Sequence, residues 1–189
     1  MSLHAAGSTV AYRVTFLAMT ERPSYDWPPM PADGTAASLL RAEAPPVWYF
    51  RALYDAVGYD HAWEDLHREP DAALEAWLDD PDVGLWTLMR AGWPQGFFML
   101  DARRPAETVL SLLGLVPGAI GLGYGRFLVR TAILTAWERA GLERLTVETC
   151  SLDHPRALAV YQHSGFEVTG QEERTRVLTR AVDPTRWQP

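Results

Sequence analysis

A chain of 189 residues suits one domain, residues 1–189, and its net charge of −7 gives no electrostatic reason to expect nucleic acid or an anionic membrane as partner. All 17 strongly basic residues are arginine, which excludes a lysine-dependent phosphate loop and a pyridoxal Schiff base. The one cysteine, Cys150, excludes an internal disulfide and a cysteine-rich zinc site, and no histidine spacing suggests a metal centre of another kind.

The start, Met1-Ser2-Leu3-His4, has no charged region leading into an apolar stretch, so no secretory leader is expected, and no apolar run approaches membrane-spanning length. The expectation is a soluble cytoplasmic protein. Residues 10–19 are rich in β-branched and aromatic side chains and read as an opening strand. Residues 23–46 mix proline and small residues with Tyr25, Trp27 and Met30, which suits an ordered flap rather than a solvated linker. Helical pieces follow over 47–57, 61–68 and 71–78, in an unusually aromatic region where His61 and His67 read as surface residues. Strands are expected over 83–90, 96–100 and 108–116, the last ending at Pro117. Residues 126–140 read as an amphipathic helix, with Leu128, Ala132, Ile133, Ala136, Trp137 and Ala140 on one face and Gly141 as its stop. A strand over 145–149, a helix over 155–164 and a final hairpin of 166–168 with 175–179 complete the chain.

The segment with the most chemical content is Ile120-Gly121-Leu122-Gly123-Tyr124-Gly125-Arg126, where a buried strand turns through glycines directly into a helix. Glycines let a backbone approach an anion closely, and the unpaired amides at a helix start attract it. A dinucleotide fingerprint would need a third glycine where Arg126 stands. A phosphate loop and a plain flexible turn both fit the glycines alone.

The residues around the loop add a resemblance. The loop is similar to the cofactor motif of the GNAT superfamily of N-acetyltransferases, Gln/Arg-x-x-Gly-x-Gly/Ala. Downstream, His154 through Ala157 and Tyr161 to Gly165-Phe166 resemble that family's second signature, Asn-x-x-Ala-x-x-x-Tyr-x-x-x-Gly-Phe. Ile120 replaces the usual Gln or Arg, and His154 the usual Asn. Val109 stands where many members carry a catalytic Glu, with Glu107 two residues earlier on the same strand face. The aromatic helices near 46–65 also resemble those of a poorly characterised subgroup.

The resemblance implies an α/β (α+β) fold, a mixed twisted sheet of six or seven strands with helices on both faces. It implies acetyl-CoA as donor, held by Leu113, Gly114, Leu115 and Val116 along the pantetheine arm. The loop Ile120, Gly121, Leu122, Gly123, Tyr124, Gly125 and Arg126 would hold the pyrophosphate, with His154 and Tyr161 nearby. The implied reaction is direct acetyl transfer to an amine of a small molecule or peptide. Tyr161 would act as acid toward the thiolate, Glu107 or Glu148 as base, and His154 as cofactor contact, proton relay or turn residue. Asp153 reads as a turn or capping residue and Cys150 as a small filler. The N-terminal aromatics and the flap over 23–46 are expected on the acceptor side, and a homodimer is compatible with the reading. The rival is a non-catalytic acyl-CoA-binding or sensor protein; a nucleotide-binding domain is disfavoured by the glycine spacing and the missing lysine.

Overall fold

The computed structural model describes residues 4–183; residues 1–3, part of the start read above for a leader, lie outside them. The strands are β1 (Thr9–Met19), β2 (Ala37–Arg41), β3 (Val83–Arg90), β4 (Trp93–Asp101), β5 (Glu107–Leu115), β6 (Arg144–Cys150) and β7 (Glu167–Val177). The helices are α1 (Val47–Gly58), α2 (Asp71–Leu78), α3 (Tyr124–Trp137) and α4 (Ala157–His163). The seven strands form one sheet in the order β2-β3-β4-β5-β6-β1-β7. Only β5 and β6 run parallel, and α3 is the crossover that such a connection requires. No helix among the described residues is long and apolar enough to cross a membrane.

Alternation along the strands sorts side chains onto two faces. On one face Leu17, Phe98, Leu110, Leu128, Ile133 and Leu145 pack together beneath α3 and α4. On the other, Phe50, Leu53, Val57, Leu85, Phe97 and Met99 join α1 and α2 to the sheet. A third, smaller cluster around Val10, Tyr12, Val14 and Leu178 lies where β1 meets the chain's last segment.

One irregularity shapes the molecule. β5 and β6 pair only from Glu107↔Arg144 to Val109↔Thr146. Just beyond, the register of β5 against β4 shifts between Leu110 and Leu112, so Ser111 is an extra residue. An unpaired residue of this kind bends its strand. β5 therefore leaves β6 and stays with β4, opening a wedge inside the sheet.

Four expectations need correction. The residues over 61–68 form no helix: two 3₁₀ turns, Tyr59–His61 and Asp65–His67, flank Ala62, whose φ of 53° breaks the spiral. The proline-rich segment contains an edge strand, β2. The final hairpin is a single eleven-residue strand, β7, paired with β1 along its length. The charged run Gln171-Glu172-Glu173-Arg174 lies between the two expected strands, but an exposed edge strand tolerates charge on both faces. Finally, residues 23–46 run over the α3–α4 side. The Tyr25 hydroxyl donates to Ser164 O (3.3 Å), Arg130 lies 4.4 Å over the Tyr25 ring, and Pro31 stands beside Gly123. That segment buttresses the glycine loop from outside and contributes nothing to the cavity described next.

Candidate active site

The wedge between β5 and β6 widens into a cavity of about 550 Å³. Its outer end is the glycine loop. Pro117–Ala119 form a 3₁₀ turn, after which Gly121 (φ 87°) and Gly123 (φ 89°) adopt backbone conformations that a side chain disfavours. Gly123 is the N-cap of α3, and the first bond into it runs from Phe127 N–H to Gly123 O. Among the described residues no amide from Gly121 to Arg126 donates to an intramolecular acceptor. Free amides at the positive end of a fourteen-residue helix are a ready anion cradle. Arg126, at the start of α3, and Arg156, at the start of α4, also line the cavity, and neither guanidinium has an ion pair or hydrogen-bond partner among the described residues.

The inner wall is built by the turn after β6. Asp153 Oδ2 accepts from Thr149 Oγ1 (2.8 Å) and from Cys150 N–H (2.8 Å), so its carboxylate sets the turn. Asp153 Oδ1 accepts from Trp63 Nε1 at 3.1 Å. A Cβ placed on Gly114 would lie 3.6 Å from that same indole ring, so Trp63 spans the wedge from β5 to the β6–α4 turn.

Tyr161 projects from α4 into the core, edge-on to Phe166 at 5.9 Å, and lines the cavity. Burial first and the charge of Asp153 second push its phenol above the ordinary range. His154 accepts Arg156 N–H at Nδ1 (3.2 Å), which leaves the ring proton on Nε2. Burial, then His61 and Arg156, lowers its pKa from 6.5, so the ring is neutral at pH 7. His61 donates from Nδ1 to Leu152 O (3.3 Å), and its ring stands 6.3 Å from that of His154. Burial pushes the Cys150 thiol up to about 12, which makes it a poor nucleophile at neutral pH.

Beyond the wedge the cavity opens onto the face carrying α1. There β1 contributes Tyr12 and Val14, β6 contributes Glu148, and β7 contributes Arg174 and Arg176. Arg176 is tied to Asp65 (2.7 Å) and to Ala62 O, clamping the segment after α1 against β7.

The profile of the Acetyltransferase (GNAT) family matches residues 36–166, well over half the chain. The chain belongs to this acetyltransferase family. No curated protein sequence matches it significantly. Among solved structures, a GCN5-related N-acetyltransferase from Kribbella flavida superposes with a TM-score of 0.57 at 21% identity, over 93% of this chain and 60% of that one. A GCN5-related N-acetyltransferase from Sphaerobacter thermophilus gives 0.62 at 14%, over 96% of this chain and 54% of the other. An aminoglycoside acetyltransferase from an uncultured soil metagenomic sample gives 0.54 at 15%, over 68% and 86%. These likenesses concern the fold. The chain spans little more than half the length of the first two.

Most of the residues expected at the site of this GNAT domain do meet in the cavity. Leu113, Gly114, Leu115, Ile120, Gly121, Gly123, Gly125, Arg126, His154 and Tyr161 all line it. Val116 does not; it is buried and its amide goes to Gln95 O. Leu122 points outward, and the Tyr124 ring is fully buried beneath Arg90, so both can act only through their amides. Glu107 lies at the closed end of the wedge opposite Arg144, bound by Arg104 at 2.8 Å and outside the cavity lining. His61, expected on the surface, lines the cavity instead. Trp63 falls among the aromatics expected on the acceptor side, whereas Tyr12 from β1 and Arg174 and Arg176 from β7 were not singled out, because they reach the cavity from strands at opposite ends of the chain.

Proposed function

We propose that the protein transfers an acetyl group from acetyl-CoA to an amine of a small molecule or peptide by direct attack on the thioester. The observation that carries this reading is the wedge: an opened strand pair leads from a cradle of free amides to a buried tyrosine and then to an open pocket. The residues fit the donor. The amides of 121–126 suit a pyrophosphate, Arg126 supplies an unpaired cation on the same loop, and the β5 groups left without a β6 partner after Val109 suit the amides of a pantetheine arm.

When bound, the donor supplies an activated acyl group. The protein's part is to orient the amine and move protons. As the nitrogen–carbon bond forms and the carbon–sulfur bond breaks, the Tyr161 hydroxyl gives its proton to the departing sulfur. Glu148, which reaches the cavity from β6, takes the proton of the amine directly or through water. Neutral His154 offers its Nε2–H as a donor at the cavity wall. One observation favours a non-catalytic acyl-CoA-binding protein instead: β5 brings no carboxylate to the cavity, since Glu107 lies outside it and Val109 is apolar.

Calorimetry with CoA and an assay of CoA release with a panel of amines test the proposal together. CoA should bind, and Gly123→Ala, strained at φ 89°, should weaken it by about tenfold or more in a folded variant. Amine-dependent CoA release should follow. Absence of CoA binding overturns the proposal, and binding without release for any amine supports the non-catalytic reading.

A further inference from the structure

The charges at the open end of the cavity are unevenly matched. Arg176 is neutralised by Asp65 at 2.7 Å, and its buried Nε, which has no partner, suits an uncharged oxygen. Arg174 is neutralised by Glu172 at 2.7 Å. Glu148 lines the cavity with no hydrogen bond or ion pair among the described residues, although its charge is felt at Arg174. Between β6 and β7, away from Arg126 on α3 and Arg156 at the start of α4, a cation meets a free carboxylate, whereas an anion meets two arginines already paired and one opposing charge. Glu148 therefore sets the sign of the group the pocket attracts.

The walls set the rest. Tyr54 and Trp63 stand 5.3 Å apart with planes tilted 39°, and Tyr54 is almost fully buried. Tyr12, Val14 and Val57 continue this surface. Trp63 is held in place by Asp153 and by close packing on Gly58, where a Cβ would lie 2.4 Å from its side chain. Fixed aromatic faces beside a lone carboxylate suit a flat or apolar body carrying an ammonium group.

On the reading that this is an amine acetyltransferase, we propose that its acceptor is a primary amine on an apolar, preferably aromatic body, with no carboxylate beside the amine. Glu148 captures the protonated form and then accepts the proton that must leave before attack. Tyr54 and Trp63 hold the body.

Steady-state CoA release with 2-phenylethylamine and with phenylalanine tests this, because the two differ only in the carboxylate. The expected result is a kcat/KM about tenfold or more higher for 2-phenylethylamine. Glu148→Gln, a change at an exposed strand position, should lower turnover of both and raise KM for 2-phenylethylamine, bringing the ratio toward one. Equal or better use of phenylalanine by the unaltered enzyme overturns the proposal, as does a ratio that Glu148→Gln leaves intact. CoA binding without turnover of either amine overturns the acceptor class and leaves the donor site standing. Failure to bind CoA removes both.

Discussion

Tyr161 sits where helix α4 faces the wedge, and its phenol is held above the ordinary tyrosine range by burial and by Asp153. A raised pKa means the proton stays on the hydroxyl well into alkaline solution, where the acid remains available. Tyr161→Phe keeps the ring and its edge contact with Phe166 but removes that proton. Turnover should fall on the order of a hundredfold with CoA affinity little changed, and the deficit should persist through the alkaline range. Glu148→Gln should behave differently. As pH rises, more of the acceptor amine is already neutral, so the loss of a proton acceptor matters less and the deficit narrows. Rate measurements across pH with both variants check this, and an unimpaired Tyr161→Phe with chemistry rate-limiting would remove the acid role. The two residues also differ in how well they could be read beforehand. Tyr161 stands at a fixed spacing before Gly165-Phe166 and belongs to one local pattern. The sequence favours Glu107 over Glu148, and only the point at which β5 leaves β6 reverses that order. His61 is not legible as a site residue because its cavity neighbours within ten residues, Tyr54, Val57, Trp63 and Asp65, form no motif with it, although Tyr54 and Trp63 fall among the aromatics expected on the acceptor side.

At the level of elements, two glycines join pieces that local patterns treat as separate. Gly123 caps α3 and turns the loop. Gly114 lies next to the last residue of β5, where a Cβ would stand 2.2 Å from Val57 Cγ1 of α1. The close approach seats α1 on the wedge. Gly114→Ala should force α1 outward or distort β5, destabilising the fold by about 1–3 kcal/mol. Denaturant unfolding measures that cost, and a variant as stable as the parent would show that α1 is not seated there. The helix α3 and strands β3 to β5 were legible because their apolar periodicity is strong and their turns carry Gly or Pro. The strand β7 was not, because an edge strand needs no apolar alternation. The 3₁₀ turns after α1 were misread because Trp63 and Leu66 have helical spacing but owe their burial to the Asp153 bond and to neighbouring helices.

At the scale of the whole molecule, the sequence conveyed the layered mixed sheet, but not that the first strand would lie between the last two. β1 pairs with β6 on one side and β7 on the other, both antiparallel. The N-terminal strand therefore builds the floor of the cavity's open end jointly with strands from the far end of the chain. No local pattern encodes such a pairing; register over ten residues and a shared apolar cluster decide it. The wedge has a further consequence. An open sheet ordinarily ends in two borders, but parting β5 from β6 creates an unmatched row of peptide groups in the interior. Solvent-facing borders invite pairing with other chains, whereas this one is recessed between two strands and roofed by Trp63. Only a single slender, extended molecule with peptide-like groups of its own can slip in and continue the ladder. Occupancy of the gap should act as a removable rung. Amide exchange of residues 110–115 should slow when CoA is added, with β2 and β3 unchanged, and mass-spectrometric exchange can read that difference. Uniform slowing across the sheet would mean global stabilisation instead. In that sense the fold is left one strand short, and the width of the missing place limits what can fill it.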